Sequence, residues 1–215
     1  MSHAADGFFI AFEGPDGSGK STQARILARR LCEDGYDGVV TEEPGGTETG
    51  RLLRDIILDP GRPISERTEL FLFLADRAEH VERVIKPALQ KGSVVVTSRY
   101  LFSTLVYQGA ARRLYPYKKL FALNRFAVSD IMPDMVFYLD VAPEEGLKNA
   151  TNDSAAYEGG DRIEREGPIL QRKVRESYLR LARKYRRRWV VIRPAMSIEE
   201  ISALVYDETR RRMPV

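Results

Sequence analysis

Gly14-Pro15-Asp16-Gly17-Ser18-Gly19-Lys20-Ser21 follows the spacing G-x-x-x-x-G-K-[ST] and runs on into Thr22. Residues of these types at this spacing hold a polyphosphate. The glycines let successive backbone N–H groups curl around phosphate oxygens, where a Cβ would block the approach. Lys20 is then placed to bridge the β- and γ-phosphates of a nucleotide, and the Ser21 hydroxyl to ligate Mg²⁺. A set of arginines (Arg54, Arg77, Arg99, Arg162 and Arg165) falls at predicted edges of one cleft and on a predicted lid. Phosphoryl transfer asks little covalent chemistry of a protein. It needs positioning, and cations to meet charge spreading over the transferred group. Arginines around a phosphate loop are what a small-molecule kinase requires. A hydrolysing switch usually carries Asp-x-x-Gly after its third strand, where this chain reads Ser98-Arg99-Tyr100-Leu101.

The phosphate motif needs a strand before it and a helix after it. Phe8–Phe12 is a short apolar run, and Thr22–Leu31 carries Ala24, Ile26, Leu27, Ala28 and Leu31 at helical spacing. Further strands are predicted at 39–41, 93–97, 135–141 and 189–192. Helices are predicted over 48–59, 66–90 with a break near Pro87, 101–132 with interruptions around Gly109 and Pro116, 168–188 and 198–212. Strands alternating with helices predict an α/β fold: a doubly wound, five-stranded parallel sheet with helices on both faces. One domain is expected over 1–215, with a mobile lid at about 144–167, where Asn, Asp, Ser and Gly interrupt the helical pattern. Ligands of such sheets gather at the C-terminal strand edge, where Glu42–Thr47 and Ser98–Tyr100 fall. Phe73 and Arg77 are four apart and share a helix face. Spacing alone admits a core phenylalanine beside a surface ion-pair arginine, or a pair aimed at one ligand. His80 is expected at the solvent or as a cap, and Cys32 on a packed helix face.

Composition narrows the partners. The 215 residues are 43% hydrophobic and 30% charged, those of a globular chain with room for a sizeable core. A formal charge of +3 is weak evidence for nucleic acid, and the basic C-terminal helix lacks aromatic interleaving, so no nucleic-acid partner is expected. The single cysteine excludes an internal disulfide and fits a reducing compartment. No apolar run approaches the roughly 20 residues that span a bilayer, and the start lacks a signal-peptide pattern. A cytoplasmic protein with no membrane partner is expected.

Phe-Glu-Gly-Pro-Asp-Gly-Ser-Gly-Lys-Ser-Thr at 12–22, Glu-Pro-Gly-Gly-Thr at 43–47, Leu-Phe-Leu-Ala-Asp-Arg at 72–77, Ser-Arg-Tyr at 98–100, Tyr-Gln-Gly at 107–109 and Asp-Arg-Ile-Glu at 161–164 occur in this order. Together they resemble the thymidylate kinase family over nearly the whole chain. The resemblance implies transfer of a phosphoryl group from Mg²⁺·ATP to dTMP, giving dTDP, by a homodimer. It implies that Phe73 stacks on thymine, that Arg77 meets a base carbonyl, and that Thr104 and Gln108 face the base edge. Tyr107 would lie on the 2′ side of the sugar, Arg99 would hold the dTMP phosphate with Arg54 nearby, and Asp16 would sit between the nucleotides. Arg162 and Arg165 would close over ATP, with Glu164 near the metal. Three departures from the family pattern stand out. Ser98 replaces an aspartate usual beside the metal. Gly17 replaces a loop arginine found in some members, while residues 149–161 hold no Lys or Arg, leaving Lys148, Arg162 and Arg165. Glu42 stands where many bacterial members have a basic residue. Two other readings remain open here: a kinase for another nucleotide or deoxynucleoside, and a nucleotide-binding module with weakened transfer.

Overall fold

The computed structural model describes residues 7–142, 144–146, 160–193 and 196–214. Five strands, β1 (Phe8–Glu13), β2 (Gly38–Glu42), β3 (Val94–Ser98), β4 (Met135–Leu139) and β5 (Trp189–Ile192), form one sheet in the order β2-β3-β1-β4-β5. Every pairing is parallel. The strands are apolar almost throughout because both faces are covered. Side chains alternate across the pleat. Phe9, Ala11, Val95, Val136 and Tyr138 enter one core, and Phe8, Ile10, Phe12, Val96 and Phe137 enter the other.

Helix α1 (Lys20–Glu33) packs Ala24, Leu27, Ala28 and Leu31 into the second core, together with Val205 of α8 (Ile198–Arg212). Cys32 lies just past that face and is exposed, against the expectation of a packed position. The first core takes α3 (Glu66–His80) and α7 (Gly167–Lys184), and between them α5 (Leu101–Thr104) and α6 (Tyr117–Ala127). In this core Trp189 meets Phe102 edge-on at 5.0 Å and lies 6.5 Å from the Tyr178 ring.

Two predicted helix interruptions turn out otherwise. The long helix does not break at Pro87. It passes through a π turn at Val81–Ile85, and Pro87 then sits in the first turn of α4 (Lys86–Gln90). A proline lacks an N–H to give, and the first turn of a helix does not need one. Gly109 likewise interrupts nothing: it lies inside a second π segment, Leu105–Ala111, and a Cβ there would stand 2.9 Å from Leu120 Cδ1. Its role is close packing against α6.

Parallel order puts all strand C-termini on one edge. β1 ends beside β3, with Phe12 paired to Ser98, and β3 ends beside β2, with Ser98 paired to Glu42. The phosphate loop, the Glu43–Thr47 turn and the Ser98–Tyr100 turn therefore meet.

Candidate active site

The loop between β1 and α1 turns through Gly17 at φ 65° and Gly19 at φ 84°, in the left-handed region where a side chain is strained. Lys20 begins α1 and folds back, its Nζ donating to Pro15 O at 2.6 Å and lying 3.3 Å from Ser18 Oγ. Burial, then repulsion from Arg99, lowers the Lys20 amine to about 7, against the attraction of Asp16, Glu13 and Glu164. Ser21 Oγ donates to Ser98 Oγ at 3.1 Å.

Arg99 is held at φ 70°, unusual for a residue other than glycine, with its N–H on Phe12 O at 2.8 Å. Its guanidinium pairs with Asp16 and also reaches Gly14 O and Ser103 Oγ at 3.1 and 3.2 Å. Burial alone would raise the Asp16 carboxyl, but Arg99 and Lys20 hold it below its ordinary value. Asp16 Oδ2 also accepts from Tyr107 Oη at 3.3 Å. Behind this pair, fully buried Glu13 accepts from Tyr100 N, Ser103 Oγ and Tyr178 Oη at 2.7–3.0 Å. Glu13 thereby fixes the turn that aims Arg99. Its role was hidden in the sequence, where it stands between the apolar run 8–12 and the phosphate motif.

A cavity of about 750 Å³ joins this loop to a second pocket. Asp16, Gly17, Lys20, Ser21 and Thr22 line one end. Arg54, Phe73, Arg77, Thr104 and Gln108 line the other, with Arg99 and Tyr107 shared between them. Gly14, Pro15, Ser18 and Gly19 shape the loop from behind. Phe73 and Arg77 do present one face of α3 together. Arg77 is no surface residue: at 2% exposure its Nε donates to Glu43 at 2.7 Å, its Nη1 to Thr104 and Asn124, and its Nη2 to Tyr100 O. Four of the five N–H groups of the guanidinium are thereby placed, and the fifth, on Nη2, is left for the cavity. Arg54 donates to Pro44 O at 2.7 Å.

His80 is also fully buried, not at the solvent, because Thr41 and Glu43 close over it at 2.6 and 3.0 Å. Glu43 thus anchors both Arg77 and His80, giving the Glu-Pro-Gly-Gly turn a structural purpose.

The segment that leads into α7 is divided. Asp161 and Glu164 line the cavity. Burial chiefly raises the Asp161 carboxyl to about 6, with Asp16 and Glu164 adding to the rise. Arg162 and Arg165 lie outside the cavity wall. Arg165 Nε donates to Gly160 O at 2.9 Å. Arg162 is tied to the end of α2 (Glu48–Leu58) through Ile57 O and Leu58 O, and pairs with Glu69 Oε2 at 2.6 Å. Lys148 falls outside the described residues. Glu69 was not singled out in the sequence, yet it is 1% exposed and receives Gln108, Arg112 and Arg162 together. Burial would raise its carboxyl, and Arg112, the Gln108 amide and Arg162 outweigh this to hold it low.

The phosphate loop and a pocket lined by Phe73 and Arg77 thus share one cavity. Residues 12–205 match the family model described as thymidylate kinase. The chain belongs to the thymidylate kinase family. It is 46% identical over 194 residues to the thymidylate kinase of Symbiobacterium thermophilum, covering 90% of this chain and 88% of that protein. The thymidylate kinase of Halothermothrix orenii is 40% identical over 204 residues, 95% of this chain and 97% of that protein. Among solved structures, the thymidylate kinase of Ehrlichia chaffeensis superposes with a TM-score of 0.76 at 29% identity, covering 96% of this chain and all of that one.

Proposed function

We propose that the chain is a dTMP kinase, passing the γ-phosphoryl group of ATP to dTMP to give dTDP and ADP. The single observation that carries this reading is the cavity that runs from the phosphate loop past Arg99 to the Phe73–Arg77 pocket. ATP phosphates belong in the loop, under Lys20. Thymine belongs on Phe73, with the last Arg77 N–H toward its 4-carbonyl, Thr104 and Gln108 on its edge, and Tyr107 beside the sugar. The dTMP phosphate takes Arg99 from Asp16, with Arg54 close by.

A phosphate oxygen of dTMP then attacks the γ-phosphorus as the bond to the ADP oxygen breaks. The attacking oxygen is already ionised, so no base has to remove a proton. Lys20 and Arg99 place positive charge on either side of the transferred group. Arg162 and Arg165 are the proposed lid cations, and Arg162 would exchange Glu69 for phosphate to act there. The lid is proposed at about 144–167 of a single kinase domain, where its closure would exclude water.

Mg²⁺ is the proposed metal. Ser21 would hold it, with Glu164 facing across the cavity, an all-oxygen donor set of the kind magnesium takes alongside nucleotide phosphates. When bound, the ion neutralises charge on the β- and γ-phosphates. No helix among the described residues is long and apolar enough to cross a membrane, and we propose a cytoplasmic homodimer.

The test is ADP release with Mg²⁺·ATP and dTMP, dUMP, dCMP, dGMP, UMP, thymidine or no acceptor. Turnover led by dTMP is the expected result. ADP release that ignores the acceptor would indicate an ATPase, and binding of both nucleotides without turnover would indicate a module that has lost transfer.

A further inference from the structure

Gln108 is buried at 2% exposure, and its side-chain amide is fixed from one side. Nε2 donates to Glu69 Oε1 at 2.6 Å. Glu69 is itself pinned by Arg112 on one oxygen and by Arg162 on the other, and Arg112 is braced in turn by Glu166. An ionised carboxylate can only accept hydrogen bonds, so it dictates which end of the amide faces it. The nitrogen turns to Glu69, and Oε1 turns away as an acceptor with no hydrogen-bond partner among the described residues. Gln108 lines the cavity alongside Arg77.

We propose that Glu69 is the positioning residue that selects thymine over cytosine, by locking Gln108 with its carbonyl toward the base. This rests on the dTMP reading of the Phe73–Arg77 pocket. A donor from Arg77 beside an acceptor from Gln108 matches a base offering a 4-carbonyl and an N3–H. Cytosine offers the reverse, an amino group and a bare N3, and meets donor with donor and acceptor with acceptor. Uracil has the same edge as thymine and is not discriminated by this device.

Glu69→Gln tests it. The carbonyl of the new amide goes to Arg162, and its NH₂ takes the Oε1 place that Gln108 and Arg112 share; Gln108 turns its amide over, and Arg112 falls back on Glu166. The ratio of kcat/KM for dTMP to that for dCMP is expected to fall at least about tenfold, the factor for one mispaired buried group. The ratio of dTMP to dUMP is expected to stay as it was. A role confined to stability would lower all three substrates together. In a Gln108→Met background the Glu69→Gln effect on the dTMP to dCMP ratio is expected to vanish, because Glu69 acts through Gln108. Persistence of the effect there overturns the proposal. Should Glu69→Gln fail to fold, Glu69→Asp keeps the charge for the arginines while drawing the oxygen back from Gln108, and must lower the same ratio. An unchanged ratio in a folded variant of either kind overturns the proposal and leaves the dTMP reading standing. A parent enzyme with no preference for dTMP over dCMP refutes that reading, and the proposal with it.

Discussion

At the scale of single residues, the cations of the cleft already hold partners. Arg99 has Asp16 and Lys20 has the carbonyl of Pro15, so on the proposed function the substrate phosphates would take these groups from partners they already hold. Lys20 has a consequence for pH. Buried and repelled by Arg99, its amine titrates near 7. Below that pH it is charged before and after ATP arrives, and binding moves no proton. Above it the free site is neutral at Lys20, and the phosphates must draw a proton in. ATP affinity is therefore expected to weaken as pH rises above about 7, by up to roughly tenfold per pH unit. Calorimetry at pH 8.5 in two buffers of different ionisation enthalpy, a pH at which ATP is itself fully ionised, should show uptake of about one proton. Ser98 makes a second case. It is nearly buried and bonded to Ser21, at a position where the family usually has aspartate. Ser98→Asp is expected to lower the Mg²⁺ concentration for half-maximal rate on the order of tenfold. It is also expected to lower the melting temperature without metal, because the new carboxylate is then buried unpaired. A magnesium titration of rate, with melting curves in chelator, checks both signs.

At the scale of elements, the turn after β2 is the most tightly specified. A Cβ on Gly46 would lie 2.6 Å from His80 Cδ2 and 2.8 Å from Glu42 O. The ring is fully buried and the carbonyl is backbone, so neither can yield cheaply. Gly46→Ala is expected to cost about 1–3 kcal/mol. Thermal unfolding and the KM for dTMP should both worsen, because the same turn carries Glu43 to Arg77. This is also where sequence reading reached its limit. Local signals were legible: the glycines of the phosphate loop, the apolar strands and the Phe73–Arg77 face. The buried carboxylates were not. Glu13, Glu43 and Glu69 find partners 34 to 165 residues away. Only the folded topology reveals such pairs. The π turns were equally hidden, since an i→i+5 bond has no residue signature of its own.

At the scale of the whole molecule, α2 and α3 leave Leu52 and Phe71 at 65% and 54% exposure. Large apolar side chains on two adjoining helices support the homodimer reading. Sedimentation is expected to find a particle of twice the 24.4 kDa chain, and Leu52→Glu with Phe71→Glu to halve it. A monomeric parent protein would refute the dimer.

The aromatic cluster under the sheet edge also has a practical use. Trp189 is the only indole in the chain, is nearly buried, and has Tyr178 as a neighbour. The hydroxyl of Tyr178 lies 3.0 Å from Ser103 Oγ, which receives Arg99 at 3.2 Å in the cleft. One phenol and one hydroxyl therefore separate a natural fluorophore from Arg99. The chain contains its own optical reporter: its emission is expected to follow unfolding of the sheet, and to respond to changes at the cleft through Tyr178, without any dye.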